Sequence, residues 1–364
     1  MRKNSADTKG KFRMDKMGIG IIGCGEIAVA HSIGISKTEN ARIAMVMDTN
    51  IALAKDLGEK YNAPFTDKVE ELLSSKEVEV VYIATPHYLH APIAIKAAKT
   101  GKHIMVEKPI STNLKDANEM IEECKKGNVK LSTCFVLRYF PFIIKAKELI
   151  EKNSIGKIIA IHINSIGDKP ESYWTGGYSG RAKTDWRISK EKSGGGILIM
   201  NASHNIDYIR FITGFEAKRV YSEYGTFTTP AEVEDALFAT ILYENGVMGA
   251  IDASSCFRGV GKLQNPAVLA DKIYGSEGQI ILSDPLQIYT AKNFEGLKQN
   301  EWNEIKVEQT YDLRQKYVEE FVSTVREGKE PPITGEDGRK SLEIVVAAYE
   351  SGRTHKPVDL ITHK

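Results

Sequence analysis

Apolar positions in the first 135 residues fall into short continuous runs, separated by stretches with helical polar patterning. GIGIIG (18–23), ARIAMVMD (41–48), VEVVYIAT (78–85), KHIMVEKP (102–109) and VKLSTCFV (129–136) have the length and apolar content of buried strands. Between them, 26–37, 50–61, 66–75, 90–101 and 111–128 are patterned as helices; Asn50 stands as an N-cap, and Gly101 and Gly127 act as stops. Strand–helix alternation with short connections predicts an α/β fold on a doubly wound parallel sheet.

After Arg138 the pattern changes. A helix enters through Pro141 and leaves at Gly156, and a strand is expected over 157–168. A Gly/Trp/Tyr-rich loop (169–187) precedes a helix with a glycine-rich start (194–213). Alternating stretches at 218–227, 234–257 and 271–282 predict antiparallel strands, with YENG (243–246) as a hairpin turn. Helices over 312–327 and 336–352 close the chain, and no internal repeat is visible.

A chain of 364 residues with 42% hydrophobic and 27% charged positions is an ordinary globular protein of about two domains. The net charge of +1 points to neither nucleic acid nor a membrane surface. Charge is uneven only at the start, where Arg2, Lys3, Lys9, Lys11, Arg13 and Lys16 face Asp7 and Asp15. Residues 1–16 therefore read as a flexible basic tail with no signal peptide or membrane span. Cys24, Cys124, Cys134 and Cys256 form no C-x-x-C, so neither zinc nor a disulfide framework is expected; free thiols in a reducing cytoplasm are.

The loop GCGEIA (23–28) follows a strand and opens a helix. Gly23 permits the tight turn, Gly25 lets a pyrophosphate approach the helix N-terminus beside Glu26 and Ile27, and Ala28 is small enough for close helix–strand packing. Asp48 ends the next strand, about 20 residues on, where a carboxylate accepts hydrogen bonds from ribose hydroxyls. The same carboxylate opposes a 2′-phosphate, so the expected cofactor is NAD rather than NADP. Two more strand ends face the same crevice. In ATPHYLH (84–90), Thr85 and Pro86 shape a loop for the nicotinamide ribose; His90, taken alone, is a capping or packing histidine. In VEKP (106–109), Lys108 follows Glu107 and can hold a substrate hydroxyl or relay its proton, whereas a lone strand-end lysine is ordinarily solvated.

With GCGEIA, MVMD, ATPHYLHAPIA, EKP, FVLRYFP, DWR (185–187), SGGGILIMNASHNID (193–207) and PPITGEDGRKSLEIVVAAYES (331–351) in order, the chain resembles the Gfo/Idh/MocA oxidoreductases over about residues 17–355. The resemblance implies a Rossmann domain (17–137) and a second α/β domain (138–335) with a large, mostly antiparallel sheet. That sheet would mediate a homodimer or homotetramer, and helix 336–352 would pack back on the Rossmann domain. It also implies redox chemistry on a secondary alcohol of a sugar, inositol or related polyol. Lys108 matches the lysine that contacts the reacting hydroxyl, and His204 the proton acceptor or donor. Trp186 and Arg187 match a pair near the cofactor; Glu107 and His90 belong to cofactor-facing motifs.

The chain departs from G-G-G-x-x-x-D-x-x-x-H: Met200 stands at the Asp place, and Asn201 comes one residue later. One residue turns a helical side chain by ~100°, so Asn201 is no simple substitute. Asp207 either orients His204 or caps backbone. Tyr173, Trp174, Arg181 and Lys183 in the aromatic loop suit a sugar ring, with the two cations suited to a carboxylate or phosphate on it. No metal is required. Two rival readings remain, a redox-neutral relative that retains NAD and a non-enzymatic NAD-binding regulator.

Overall fold

The computed structural model describes residues 16–360, so the expected basic tail, apart from Lys16, lies outside the described residues. The first sheet alternates strand and helix: β1 (Met17–Ile22), α1 (Glu26–Lys37), β2 (Ala41–Met47), α2 (Ile51–Tyr61), β3 (Phe65–Thr66), α3 (Val69–Ser74), β4 (Val80–Ile83), α4 (His90–Lys99), β5 (His103–Val106), α5 (Leu114–Lys126) and β6 (Leu131–Thr133). All pairs are parallel, in the order β3-β2-β1-β4-β5-β6. The order reverses between β1 and β4, which opens a crevice at the carboxyl ends of those strands. Every residue of β1 and β4 is buried, as strands covered by helices on both faces require. The Asn50 side chain accepts from Ala52 N–H, so the expected cap is formed.

The second half holds α6 (Pro141–Glu151), β7 (Ile158–Ile166), α7 (Glu171–Gly176), α8 (Lys190–Ser193), a π-helical turn (Leu198–Ala202) and α9 (Ser203–Thr213). Then follow β8 (Ala217–Gly225), β9 (Ala236–Tyr243), β10 (Met248–Ser254), β11 (Asp271–Gly275), β12 (Gly278–Leu282), β13 (Leu286–Thr290), β14 (Glu301–Ile305), α10 (Leu313–Arg326), α11 (Gly335–Thr354) and β15 (Val358–Asp359). Nine strands form one sheet, β14-β13-β12-β11-β7-β10-β9-β8-β15, antiparallel except for the β7–β10 pair. Helices α6, α9 and α11 cover one face. On the other, Tyr221, Phe238, Met248 and Trp302 remain exposed.

The patterning missed β3, β13, β14, β15 and the two short helices inside the 169–187 loop and just after it. It also assigned 138–335 to the second domain, yet α10 within that span packs on α1. Its apolar face, Leu313, Tyr317, Val318, Phe321 and Val322, is buried in the core of the first sheet. Tyr317 OH donates to Ser132 Oγ (2.8 Å), and Asn40 Nδ2 donates to the Glu319 carbonyl (2.9 Å). Helix α11 lies against α5 and β6 on one side and β8 and α9 on the other, so it bridges both sheets. Among the described residues no helix is long and apolar enough to cross a membrane.

Candidate active site

The loop after β1 is built for close approach. Gly23 has φ +90°, and a Cβ there would lie 2.7 Å from the Ala84 carbonyl oxygen, so glycine is required. Gly25 is different: nothing lies within 4 Å of where its Cβ would be, directly before the first turn of α1. That open side leaves unpaired helix N–H groups accessible to an anion. Ala28 is fully buried, while Ile27 is exposed. The Asp48 carboxylate accepts from Cys24 N–H (2.7 Å) and Asn50 N–H (2.8 Å), which fixes it at the lip of the loop; a carboxylate has further lone pairs for ribose hydroxyls.

The β4 and β5 ends are tied together beside this loop. The His90 ring is fully buried, with its nitrogens 2.8 Å from the Pro109 carbonyl and 3.0 Å from the Thr85 carbonyl, so it clamps the two turns rather than facing the crevice. Thr85 Oγ1 is buried and has no partner. Pro86 leads into a turn at His87–Leu89, where His87 Nδ1 lies 2.8 Å from the Ser193 carbonyl and the His87 ring packs against Trp186 at 4.4 Å. Glu107 is buried and receives Tyr82 OH (2.8 Å) and His31 Nε2 (3.0 Å). Burial opposes its ionisation, but His31, Lys108 and Tyr82 overcome it and hold its pKa at about 2.

The Lys108 ammonium reaches across to the second half of the chain and donates to the Met200 carbonyl. Burial pushes its pKa down to about 8; Glu107 pulls it up, while Lys169 and Arg187 push it further down. Met200 sits in the π turn, whose widened bond runs from Ser203 N–H to the Leu198 carbonyl. His204 follows in the first turn of α9. Burial and then the Lys108 charge hold its imidazole well below the usual histidine range, which places the two groups in one electrostatic neighbourhood. Its Nδ1 and the Asn201 Oδ1 are buried without partners.

Contacts distant in sequence set this helix in place. The buried Glu234 carboxylate accepts from Gly196 N–H (2.6 Å), Leu198 N–H (3.0 Å) and Tyr349 OH (2.8 Å). Glycine is required beneath it, since a Cβ at Gly196 would meet the Glu234 carbonyl at 1.9 Å. Asp207 does not turn to His204: Arg138 grips it in a bidentate pair (2.7 and 2.6 Å), anchoring α9 beside the first sheet.

The aromatic loop distributes its residues differently from expectation. Tyr173 faces the site, with its hydroxyl 3.9 Å from Met200 Sδ and the Arg187 guanidinium 5.3 Å from its ring. Arg187 also lies 4.5 Å over Trp186. Trp174, expected at the sugar, is 2% exposed and packs edge-on to Tyr173 in the core. Arg181, also expected there, goes to the nucleotide loop: Nε donates to the Cys24 carbonyl (2.9 Å) and Nη2 pairs with Asp56 (2.7 Å). Tyr178 N–H donates to Glu26 Oε2 (3.0 Å), so the loop is latched over the start of α1 at two points. Beside Arg181 and Ser179 a cavity of about 500 Å³ runs between Glu26, Val29 and Leu53. Lys183 is exposed.

Lys108, Tyr173, Trp186, Arg187, Met200 and His204 thus come together, whereas, among the described residues, no hydrogen bond joins the Asn201 side chain to them. Sequence reasoning missed Lys169, Tyr178 and Glu234, and it quoted Arg138 within FVLRYFP without giving it a role. One trio of possible metal ligands, His31, Glu107 and Cys134, has atoms within 4.8 Å of one another. Those atoms are already engaged: His31 pairs with Glu107, Cys134 Sγ donates to Tyr317 OH (3.4 Å), and burial pushes that thiol well above its usual pKa.

Residues 17–135 match the family model described as oxidoreductase family, NAD-binding Rossmann fold. Residues 147–360 match the companion C-terminal alpha/beta domain. Myo-inositol 2-dehydrogenase of Thermotoga maritima is 26% identical over 94% of this chain and 98% of its own length. The 2,7-anhydro-N-acetylneuraminate hydratase of Escherichia coli is 26% identical over 65% of this chain and 62% of its own length. A solved structure of levoglucosan dehydrogenase with NADH and levoglucosan superposes with a TM-score of 0.83 at 24% identity, over 95% of this chain and all of that one.

Proposed function

The chain belongs to the Gfo/Idh/MocA oxidoreductase family, and we propose that it transfers a hydride between a nicotinamide cofactor and a secondary alcohol of a sugar, inositol or related polyol. The observation that carries this reading is the Lys108 ammonium on the Met200 carbonyl, in the electrostatic reach of His204 and beside the open Gly25 loop. The loop fits a dinucleotide: it has an uncrowded helix N-terminus, a fixed carboxylate at Asp48 and an unpartnered hydroxyl at Thr85. Gly23–Ala28 would hold the pyrophosphate and Asp48 the ribose, with Trp186 and Arg187 closing over the nicotinamide side. When bound, the nicotinamide supplies the hydride acceptor or donor. Lys108 leaves the Met200 carbonyl for the substrate hydroxyl and stabilises developing alkoxide charge, while neutral His204 takes the proton.

On this reading Met200, whose sulfur lies 3.9 Å from the Tyr173 hydroxyl, offers the substrate an apolar wall at the place of the family Asp. Nearness in kind to an inositol dehydrogenase supports a polyol substrate without choosing one. Asp48 supports NAD over NADP by ~100-fold, a few kcal/mol of like-charge repulsion. The exposed Tyr221, Phe238, Met248 and Trp302 support a homodimer or homotetramer through the nine-stranded sheet, and the free cysteines a cytoplasmic location.

The test is paired. His204→Ala should lose ~10²- to 10⁴-fold in kcat and Lys108→Ala at least as much, with NADH affinity little changed in both. Near-wild-type turnover in both variants would refute the mechanism. Equal dissociation constants for NADH and NADPH would refute the role given to Asp48. The Arg181 and Tyr178 latch favours a second reading, a redox-neutral enzyme that keeps its NAD through the cycle. Cofactor that survives gel filtration would support it.

A further inference from the structure

Several buried and half-buried cations pair with carboxylates, Arg138 with Asp207, Arg210 with Glu216 and Arg181 with Asp56, while Lys102 and Lys272 give their ammonium groups to backbone carbonyls. Three cations around the crevice also lack a carboxylate. Among the described residues, Lys108, Lys169 and Arg187 have no carboxylate oxygen within 4.0 Å. Arg187 stands on the cofactor side, over Trp186. Lys169 follows β7 and is assigned to nothing in the hydride-transfer reading. Its ammonium lies 5.0 Å from the Tyr173 ring and 4.9 Å from the Tyr178 ring, and it donates to the Tyr178 hydroxyl. The Tyr173 ring and the Tyr178 hydroxyl therefore hold this charge in place, beside the tyrosine whose hydroxyl approaches Met200.

Gathering like charges in a partly desolvated crevice is unfavourable unless an anion joins them. Burial is the main cause of the depressed Lys108 pKa, and Lys169 and then Arg187 add to it. The pyrophosphate of a dinucleotide would answer the helix terminus beside Gly25, while Arg187 stands at the nicotinamide side. An oxidised nicotinamide, however, brings a further positive charge toward Lys108, and Lys169 stays uncompensated.

We propose that Lys169, held by Tyr173 and Tyr178, is an anion subsite that selects a sugar or polyol carrying a carboxylate or phosphate substituent. The inference rests on the hydride-transfer reading of the same crevice. The substrate would lie with its reacting hydroxyl at Lys108 and its anionic group at Lys169.

The experiment uses the full chain saturated with NADH, so that the pyrophosphate site is filled. D-glucuronate, D-glucose 6-phosphate and D-glucose are titrated by calorimetry against wild type, Lys169→Met and Lys169→Arg. At least one anion should bind wild type ~10- to 100-fold more tightly than glucose, the worth of a charge-assisted bond. The two anion arms separate carboxylate from phosphate. Lys169→Met should collapse the preference to about twofold, and Lys169→Arg should keep most of it. Neither anion binding more tightly than glucose, or a preference intact in Lys169→Met, overturns the proposal. If Lys169→Met does not fold, retention of the preference in Lys169→Arg together with its loss in Lys169→Gln decides the matter. Turnover of neutral polyols without any anion preference would refute the subsite and leave hydride transfer standing. An anion preference in a protein that reduces NAD with no alcohol would do the reverse.

Discussion

The charge state of Lys108 should be visible in the pH dependence of alcohol oxidation. Burial, with Lys169 and Arg187, brings its pKa down to about 8, while His204 is held well below the usual histidine range. If the protonated lysine stabilises the alkoxide and neutral His204 takes the proton, both correct states coexist from below the usual histidine range up to about pH 8. Oxidation should therefore rise only at acidic pH, stay flat through neutrality and fall above pH about 8. The fall follows the ammonium fraction, roughly tenfold at one unit above the pKa and a hundredfold at two. A bound oxidised nicotinamide adds positive charge and its pyrophosphate negative charge, so the position of that limb reports their balance at Lys108. The assay is kcat/KM for the alcohol at saturating NAD, by NADH absorbance. Lys108→Arg separates charge from titration: guanidinium remains protonated throughout, so its slower rate should show no alkaline limb. A wild-type rate that climbs through pH 8 would refute the assignment and make the neutral lysine amine the proton acceptor.

Further outcomes follow from single contacts. Met200→Asp introduces a carboxylate on the residue whose carbonyl binds the Lys108 ammonium and, if the side chain faces the crevice, should move the alkaline limb up by about one pH unit; an unmoved limb would place that side chain in the core. Arg181→Ala removes the bonds to Cys24 and Asp56 and should speed NADH release about tenfold in stopped-flow, and an unchanged rate would refute the latch. Glu234→Ala leaves Gly196 N–H, Leu198 N–H and Tyr349 OH buried without their acceptor and should lower unfolding free energy by ~3 kcal/mol in urea titration; a loss under ~1 kcal/mol would mean that water replaces the carboxylate.

What the sequence determined by itself is local. Buried strands alternating with capped helices specify the parallel sheet, because apolar runs and caps act within a few residues. Gly23, Gly25 and Ala28 identify the nucleotide loop, since steric freedom belongs to the residue type. Lys108 and His204 stood out only through the resemblance of the EKP and SGGGILIMNASHNID stretches to a family pattern, since a strand-end lysine taken alone is ordinarily solvated. What only the tertiary structure decided is where long side chains and distant segments end. Arg181 and Trp174 stand in the same loop as Tyr173, yet one reaches Asp56 and the other enters the core. Helix α10 packs on α1 from some 280 residues away, by an apolar face that its own patterning could have offered to either sheet. Glu234 caps a helix 38 residues before it. The π turn that carries Met200 gives its carbonyl to Lys108, 92 residues upstream. Such pairings depend on which surfaces meet after collapse, and no spacing within one segment encodes them.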